Sequence, residues 1–135
     1  MGHRIDEIEG IGASYAAKLK EAGIGTTEDL LERCASKKGR VACAEATGIS
    51  EKLILSWVNM ADLMRIRGVG KQFAELLERA GVDSVKELRR RNAENLAAKL
   101  NEVNEAKRLT KGSVSVTQVA GWIEQAQQME PLVTH

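Results

Sequence analysis

An internal repeat constrains this chain more than any other feature of its sequence. Residues 8–33, IEGIGASYAAKLKEAGIGTTEDLLER, align without a gap with residues 66–91, IRGVGKQFAELLERAGVDSVKELRRR, at an offset of 58. Both glycines of each G-x-G fall in phase, and so do most of the apolar positions. Such a match indicates a duplication, so the fold must be one that two copies of a unit of about 60 residues can build.

The repeat continues later in each copy. Residues 50–64, SEKLILSWVNMADLM, match residues 115–129, SVTQVAGWIEQAQQM, and this match pairs Trp57 with Trp122. The offset is 65 at that point, so the second copy carries seven extra residues in its middle segment. We therefore predict that this middle segment is where the two copies differ most in structure.

The duplication also predicts the domain organisation. We assign a first unit to residues 1–65 and a second unit, with the longer middle segment, to residues 66–135. No Pro- or Ser-rich stretch separates the two units. A continuous helix or a tight junction is therefore expected between them, rather than a flexible linker.

Composition and periodicity predict an all-α fold. Hydrophobic residues make up 43% of the chain but aromatic residues only 3%, and the sequence has long runs of Ala, Glu, Lys, Leu and Arg, which favour helices. Apolar residues recur at three- and four-residue spacing after each G-x-G, and Gly23 and Gly81 are placed to end those helices. We predict about eight to ten short helices, one of them over residues 94–109 and followed by a loop.

The same periodicity predicts which side chains are buried. Tyr15 and Phe73 are expected to join this core, and Cys34 and Cys43 are interpreted as reduced, buried hydrophobic residues of a cytosolic protein. The other predicted core residues are Ile8, Leu19, Leu30, Leu53, Trp57, Ile66, Leu77, Leu88, Val119 and Trp122.

Charge and hydropathy limit the possible partners. The formal net charge of +1 argues against a polycation that coats nucleic acid, although it permits a local basic patch. No apolar run approaches the roughly 20 residues that a membrane span needs, and the N-terminus has no apolar signal region. We therefore expect a cytoplasmic protein with no membrane partner.

Each G-x-G belongs to a longer pattern: an apolar residue, any residue, Gly, Ile or Val, Gly, and then an amphipathic helix. The two segments are IEGIG and IRGVG, and a TGIS turn follows later in the first copy. This pattern resembles the helix-hairpin-helix motif, so each unit resembles a paired helix-hairpin-helix domain. Nearly the full chain, including VNEAKRL and VAGWIEQA, is also similar to the prokaryotic family known as domain of unknown function 4332. That second resemblance implies an architecture but no activity.

The physical chemistry of such a hairpin favours binding to a phosphate. Glycine has no Cβ, so the backbone can turn tightly and can be approached closely. The amides of the turn lie at the N-terminus of the following helix, where the helix dipole favours an anion. The helix-hairpin-helix resemblance further implies that turn carbonyls hold a monovalent cation that bridges to the phosphate. No other cofactor and no metal site is predicted.

The two hairpins differ in charge, which decides between them. Acidic residues surround the first hairpin, whereas Arg and Lys surround the second, and the second unit has eleven Lys/Arg against nine Asp/Glu. We therefore predict sequence-independent binding to a nucleic-acid backbone, with DNA as the expected partner, chiefly through the second hairpin. The candidate binding residues are Arg65, Arg67, Gly68, Val69, Gly70 and Lys71, and the weaker hairpin comprises Gly10, Ile11 and Gly12.

An enzyme is not expected. Side-chain catalysis needs a nucleophile, a base and an orienting group in one cleft, and the chain has no histidine away from its two ends. The GVGK segment lacks the spacing of a phosphate-binding loop. The strongest alternative to nucleic-acid binding is a scaffold that binds other proteins through the apolar faces of its helices.

Overall fold

The computed structural model describes residues 3–134, and within that range the protein is all-α, as predicted. A short 3-10 helix, Ile5–Glu7, comes first, and no strand forms in the described range beyond one isolated bridge between Arg4 and Thr26. The α-helices are α1 (Ala13–Glu21), α2 (Thr27–Cys34), α3 (Lys37–Thr47), α4 (Glu51–Leu63), α5 (Lys71–Arg79), α6 (Val85–Leu88), α7 (Ala93–Lys107) and α8 (Val116–Gln128).

The chain forms two compact units. Unit 1 contains the chain up to Asp62 and the C-terminal segment that starts at Leu132, and unit 2 is Leu63–Pro131. The repeat assigned the C-terminal segment to the second unit, whereas the structure places it with the first. Residues 1, 2 and 135, at the ends of the predicted units, lie outside the described residues.

A buried arginine explains the position of the C-terminal segment. Arg40 is 3% exposed, and its Nη1 donates to the carbonyl oxygens of Cys34 at 3.0 Å and Ala35 at 2.8 Å. Its Nη2 donates to the carbonyl oxygen of Thr134 at 2.6 Å, and the Thr134 amide donates to the Ala35 carbonyl at 2.9 Å. Val133 is buried beside this network. Because a buried charge needs hydrogen-bond acceptors, Arg40 stabilises the C-terminal segment on unit 1.

The predicted helix ends are mostly confirmed. Gly23 and Gly81 follow α1 and α5 with φ of +87° and +94°, and the helix predicted over residues 94–109 is α7. Polar side chains begin most of the helices by accepting a hydrogen bond from a backbone amide three residues later. These capping residues are Thr26, Ser36, Ser50, Ser84, Asn92 and Ser115.

The predicted aliphatic and tryptophan core is confirmed except at Leu53. Nine of the ten aliphatic and tryptophan positions predicted from the periodicity are buried, but Leu53 is 38% exposed. It lies in the first turn of α4, and burial along this helix starts at Ile54. Helical spacing places Leu53 on the same face as Trp57, but Leu53 lies in the first turn of α4, where burial has not yet begun.

The two cysteines are free and buried, as interpreted from the sequence. Burial, and to a smaller extent the neighbouring Cys43, raise the pKa of the Cys34 thiol to about 12. Since only the thiolate is an effective nucleophile, Cys34 remains protonated and unreactive at neutral pH. Both cysteines therefore act as small apolar residues of the core of unit 1.

Candidate nucleic-acid interface

The second hairpin, residues 68–71, connects the turn that follows α4 to the start of α5. Gly70 is the N-cap of α5 and, being a glycine, has no side chain to cap this helix. Buried Val69 holds the turn closed, because its amide donates to the carbonyl oxygen of Ile66 at 3.0 Å. The first turn of α5 is therefore a helix N-terminus at which an anion can take the place of a side-chain cap.

Gly68 is required at this turn for two reasons. Its φ is +95°, which L side chains rarely adopt, and a Cβ at this position would lie 3.3 Å from Nε1 of Trp122. The close approach of the indole to the backbone explains why the repeat pairs a tryptophan with each hairpin glycine. The hairpin is thus held between its own turn and the tryptophan of α8.

A glutamine that sequence reasoning missed fixes the second hairpin further. The backbone amide of Arg67 donates to Oε1 of Gln125 at 2.8 Å, and Nε2 of Gln125 donates to the Arg67 carbonyl at 3.1 Å. The side-chain amide of Gln125 therefore makes the same two hydrogen bonds to the Arg67 backbone that a residue of a neighbouring β-strand would make. The only signal in the sequence was a difference between the copies, since the 65-residue offset pairs Gln125 with Met60.

Two of the predicted basic side chains lie exposed at the hairpin. Arg67 immediately precedes Gly68, and Lys71 is the first residue of α5. Both are positioned to add charge-assisted contacts to an anion that approaches the turn.

Other arginines of unit 2 contact the end of α8 instead. Nη2 of Arg65 donates to the carbonyl oxygen of Glu130 at 3.0 Å, and Nη2 of Arg89 donates to that of Gln127 at 3.2 Å. Cations are favourable near the C-terminal end of a helix, so these two guanidinium groups support the fold there. Of the predicted basic residues, Arg65 is half-buried and hydrogen-bonded to Glu130, whereas Arg67 and Lys71 are exposed at the hairpin.

The first hairpin has the same backbone geometry with different charges. Gly10 also has a φ of +95°, and a Cβ there would lie 3.4 Å from Nε1 of Trp57. Gly12 is the N-cap of α1, again without a side-chain cap in the described chain, and Ile11 is buried. The preceding turn, however, carries Asp6, Glu7 and Glu9. These carboxylates would repel a phosphate that approached the first hairpin.

The aromatic residues that follow the hairpins are only half-buried, so their assignment to the core was wrong in part. Tyr15 lies edge-on to Trp57 and Phe73 lies tilted against Trp122, both with ring centroids 5.1 Å apart. One side of each ring packs on a buried tryptophan, which accounts for the helical spacing that predicted a core position. The rest of each ring remains accessible because it lies in the first turn of an exposed helix.

Within residues 3–134, no group of three or more His, Cys, Asp or Glu side chains is arranged to hold a metal ion. No helix in that part of the chain is long and apolar enough to cross a membrane.

This chain belongs to the family described as Domain of unknown function (DUF4332), whose model matches residues 9–129. The matched range includes both hairpins and all eight α-helices, in agreement with the resemblance seen in the sequence. No curated protein and no solved structure gives a significant match.

Proposed function

We propose that this protein binds the backbone of nucleic acid, in particular DNA, without sequence preference and without catalysing a reaction. The observation that carries the proposal is the second hairpin. There, a helix N-terminus without a side-chain cap lies behind a glycine turn, and two exposed cations flank it. Phosphate is the nucleic-acid group that such a site recognises, and phosphate contacts carry no sequence information.

The proposal includes the helix-hairpin-helix nature of both units and their origin by duplication. The paired glycines have equal φ, and a Cβ added to either one would lie at almost the same distance from the indole nitrogen of a tryptophan. The paired aromatic residues have the same centroid separation from those tryptophans. Independent units would have no reason to share these three geometrical features at positions that the repeat pairs, so they support the proposal.

The rigidity of the second hairpin also supports binding. Gln125 fixes the peptide of Arg67, and Trp122 contacts Gly68, so the turn is held before any ligand arrives. A site that is already ordered loses less conformational entropy when it binds. The site therefore does not need to reorder before it binds. Because its contacts are few and all to phosphate, binding is expected to be weak and uniform among sequences.

The monovalent cation implied by the resemblance is part of this proposal. Backbone carbonyls of the turn would hold it, since hard oxygen ligands suit such ions. Repeating the binding measurement with potassium replaced by tetramethylammonium tests this part alone. An affinity that does not change would remove the cation from the proposal.

A salt titration tests the main proposal. Fluorescence anisotropy with labelled duplex, branched and single-stranded DNA at low salt should detect binding that does not depend on sequence. The affinity should fall with salt with a slope of about −0.9 for each phosphate neutralised on duplex DNA. A correctly folded protein that binds none of these at low salt would leave the protein-binding scaffold as the better explanation.

A further inference from the structure

A groove of about 950 Å³ lies in unit 2 directly beside the second hairpin. One wall is the first turn of α5, with Gln72 and Phe73. The opposite wall is the end of α7 and the loop that follows it, residues 108–115. This loop lies in the middle segment, which is seven residues longer in the second copy. The groove is therefore lined by the segment in which the two copies differ in length.

The loop is held in one conformation by two asparagines of α7. Nδ2 of Asn104 donates to the carbonyls of Thr110 and Gly112, both at 3.1 Å, and its Oδ1 accepts from the Thr110 amide at 2.9 Å. Asn101 makes a similar pair of bonds with Val114, at 3.0 and 2.7 Å. The groove is therefore formed before a ligand binds.

One polar atom of the groove lacks a partner. Thr110 lines the groove, and its Oγ1 is a buried side-chain atom that makes no hydrogen bond to any described residue. Buried hydroxyl groups are normally hydrogen-bonded, and leaving one without a partner costs free energy. Because this oxygen has almost no accessible surface, a ligand in the groove does not contact it, and the ligand must be inferred from the other groups that line the groove.

The charges and the aromatic ring indicate which ligand. Arg108 and Lys111 are exposed on the loop and line the groove together with one carboxylate, Glu105, so cations exceed anions. Phe73 presents the part of its ring that Trp122 does not cover. A flat ring beside two cations matches a nucleotide, which combines a base that stacks with a phosphate that pairs.

We propose that the groove binds one unstacked nucleotide of a single strand whose neighbouring phosphate lies on the second hairpin. This inference rests on the proposed function and makes it more specific. Gln72 and Phe73 follow Lys71 directly, so a strand that leaves the hairpin enters the groove. Bases in a duplex are paired and stacked, and only a single strand or a frayed end can offer a base without paying for its release. The protein therefore prefers single-stranded DNA to blunt duplex.

The test compares a short oligothymidylate with a blunt duplex by fluorescence anisotropy. Wild-type protein should bind the single strand roughly tenfold more tightly, the scale that one base–aromatic stack contributes. Phe73→Leu should abolish this preference and leave duplex binding unchanged, and Lys111→Glu should weaken single-strand binding more than duplex binding. Tyr15→Leu is the matched control, because Tyr15 contacts Trp57 as Phe73 contacts Trp122 but belongs to the unit with the short connection.

Two further variants separate binding from folding. Thr110→Val keeps the branched shape and removes the unsatisfied buried hydroxyl, so it should leave the urea midpoint unchanged or raise it and, as a control for the loop, leave single-strand binding unchanged. Arg108 has a φ of +53°, and Arg108→Asn removes its charge with a residue that tolerates this conformation. It should weaken single-strand binding without loss of stability.

The outcomes distinguish this inference from the proposed function. Equal affinity for single strand and duplex, unaffected by the groove variants, would overturn the inference and leave the backbone-binding function intact. The inference would also be overturned if thymidine monophosphate bound as tightly as the single strand and Lys71→Glu did not change its affinity. That result would assign the groove to a free nucleotide. Failure of every nucleic acid to bind would remove both.

Discussion

The two hairpins share a backbone and the tryptophan packed against it, and they differ in the charges and polar contacts around them. Gly10 and Gly68 have the same φ, and each packs beneath a tryptophan. Arg33 and Arg91 also correspond in sequence: Arg33 donates to the Ala22 carbonyl, just past the end of α1, at 2.8 Å, and Arg91 donates to the Gly81 carbonyl, one residue further past the end of α5, at 3.1 Å. What the units share is thus explained by folding, so the features that only one unit has are the better evidence of function.

Three features are confined to unit 2. Its hairpin is flanked by Arg67 and Lys71, whereas acidic residues precede the first hairpin. Gln125 hydrogen-bonds the backbone of Arg67 at this hairpin, whereas the repeat places Met60 at the corresponding position of unit 1. The connection between α7 and α8 forms a groove next to the hairpin, whereas α3 and α4 are joined by a short turn. All three features lie at or beside the same helix N-terminus, that of α5.

The largest expected effect tests what the units share. Leu19 and Leu77 correspond under the offset, and both are fully buried. Leu19→Ala and Leu77→Ala should each lower the free energy of unfolding by about 2–5 kcal/mol, through lost burial and the cavity left behind. Urea denaturation measures the change. Leu53→Ala, at an exposed position, is the control and should stay within about 0.5 kcal/mol of wild type. An unchanged midpoint for Leu77→Ala would contradict its place in the core.

The hairpin glycines should separate folding from binding. Gly10→Ala and Gly68→Ala each force a side chain into a positive φ, which costs about 1–2 kcal/mol, and each pushes a Cβ toward an indole nitrogen. Their losses of stability should therefore be similar. Only Gly68→Ala should also reduce DNA affinity. Equal loss of affinity from both would mean that the two hairpins bind alike and that the charge difference is irrelevant.

Replacing Gln125 with methionine, the residue at the corresponding position of unit 1, tests whether its two hydrogen bonds to Arg67 matter for binding. Gln125→Met removes two hydrogen bonds to Arg67 and should cost about 1 kcal/mol of stability, since the site is partly exposed. DNA affinity should fall because the turn is less ordered before binding. Gln127→Met, an exposed change on the same helix, controls for the substitution itself. If both variants bind DNA like wild type, Gln125 has no part in binding.

The smallest effect on stability belongs to the charge at the start of α5. Lys71→Glu should weaken binding to all DNA sequences and reduce the salt slope by about one unit, because one phosphate contact is lost. Its counterpart under the offset is Ala13, and Ala13→Glu should change neither the affinity nor the slope. Anisotropy titrations at several salt concentrations measure both quantities. Identical curves for wild type and Lys71→Glu would exclude the second hairpin as the site.

Much of the fold and part of the candidate site could be predicted from the chain alone. The helices, their capping residues and the glycines that follow α1 and α5 depend on neighbours within one or two turns, and such dependence appears as spacing in the sequence. The burial of Trp57 and Trp122 was predictable because the repeat placed them at equivalent positions. Leu53 was misplaced because spacing identifies a helix face but not where along the helix the core begins.

The sequence by itself determined an all-α protein with two glycine hairpins, of which the second has the more basic surroundings. Only the tertiary structure decided which side chains meet at that hairpin. The contact of Gln125 with Arg67 joins residues 58 apart, the Arg65 contact spans 65, and Arg40 reaches a carbonyl 94 residues away. Pairings over such distances have no periodicity, because each partner is chosen by how the helices pack. The groove beside Phe73 likewise exists only because the longer loop, held by its two asparagines, folds back toward α5.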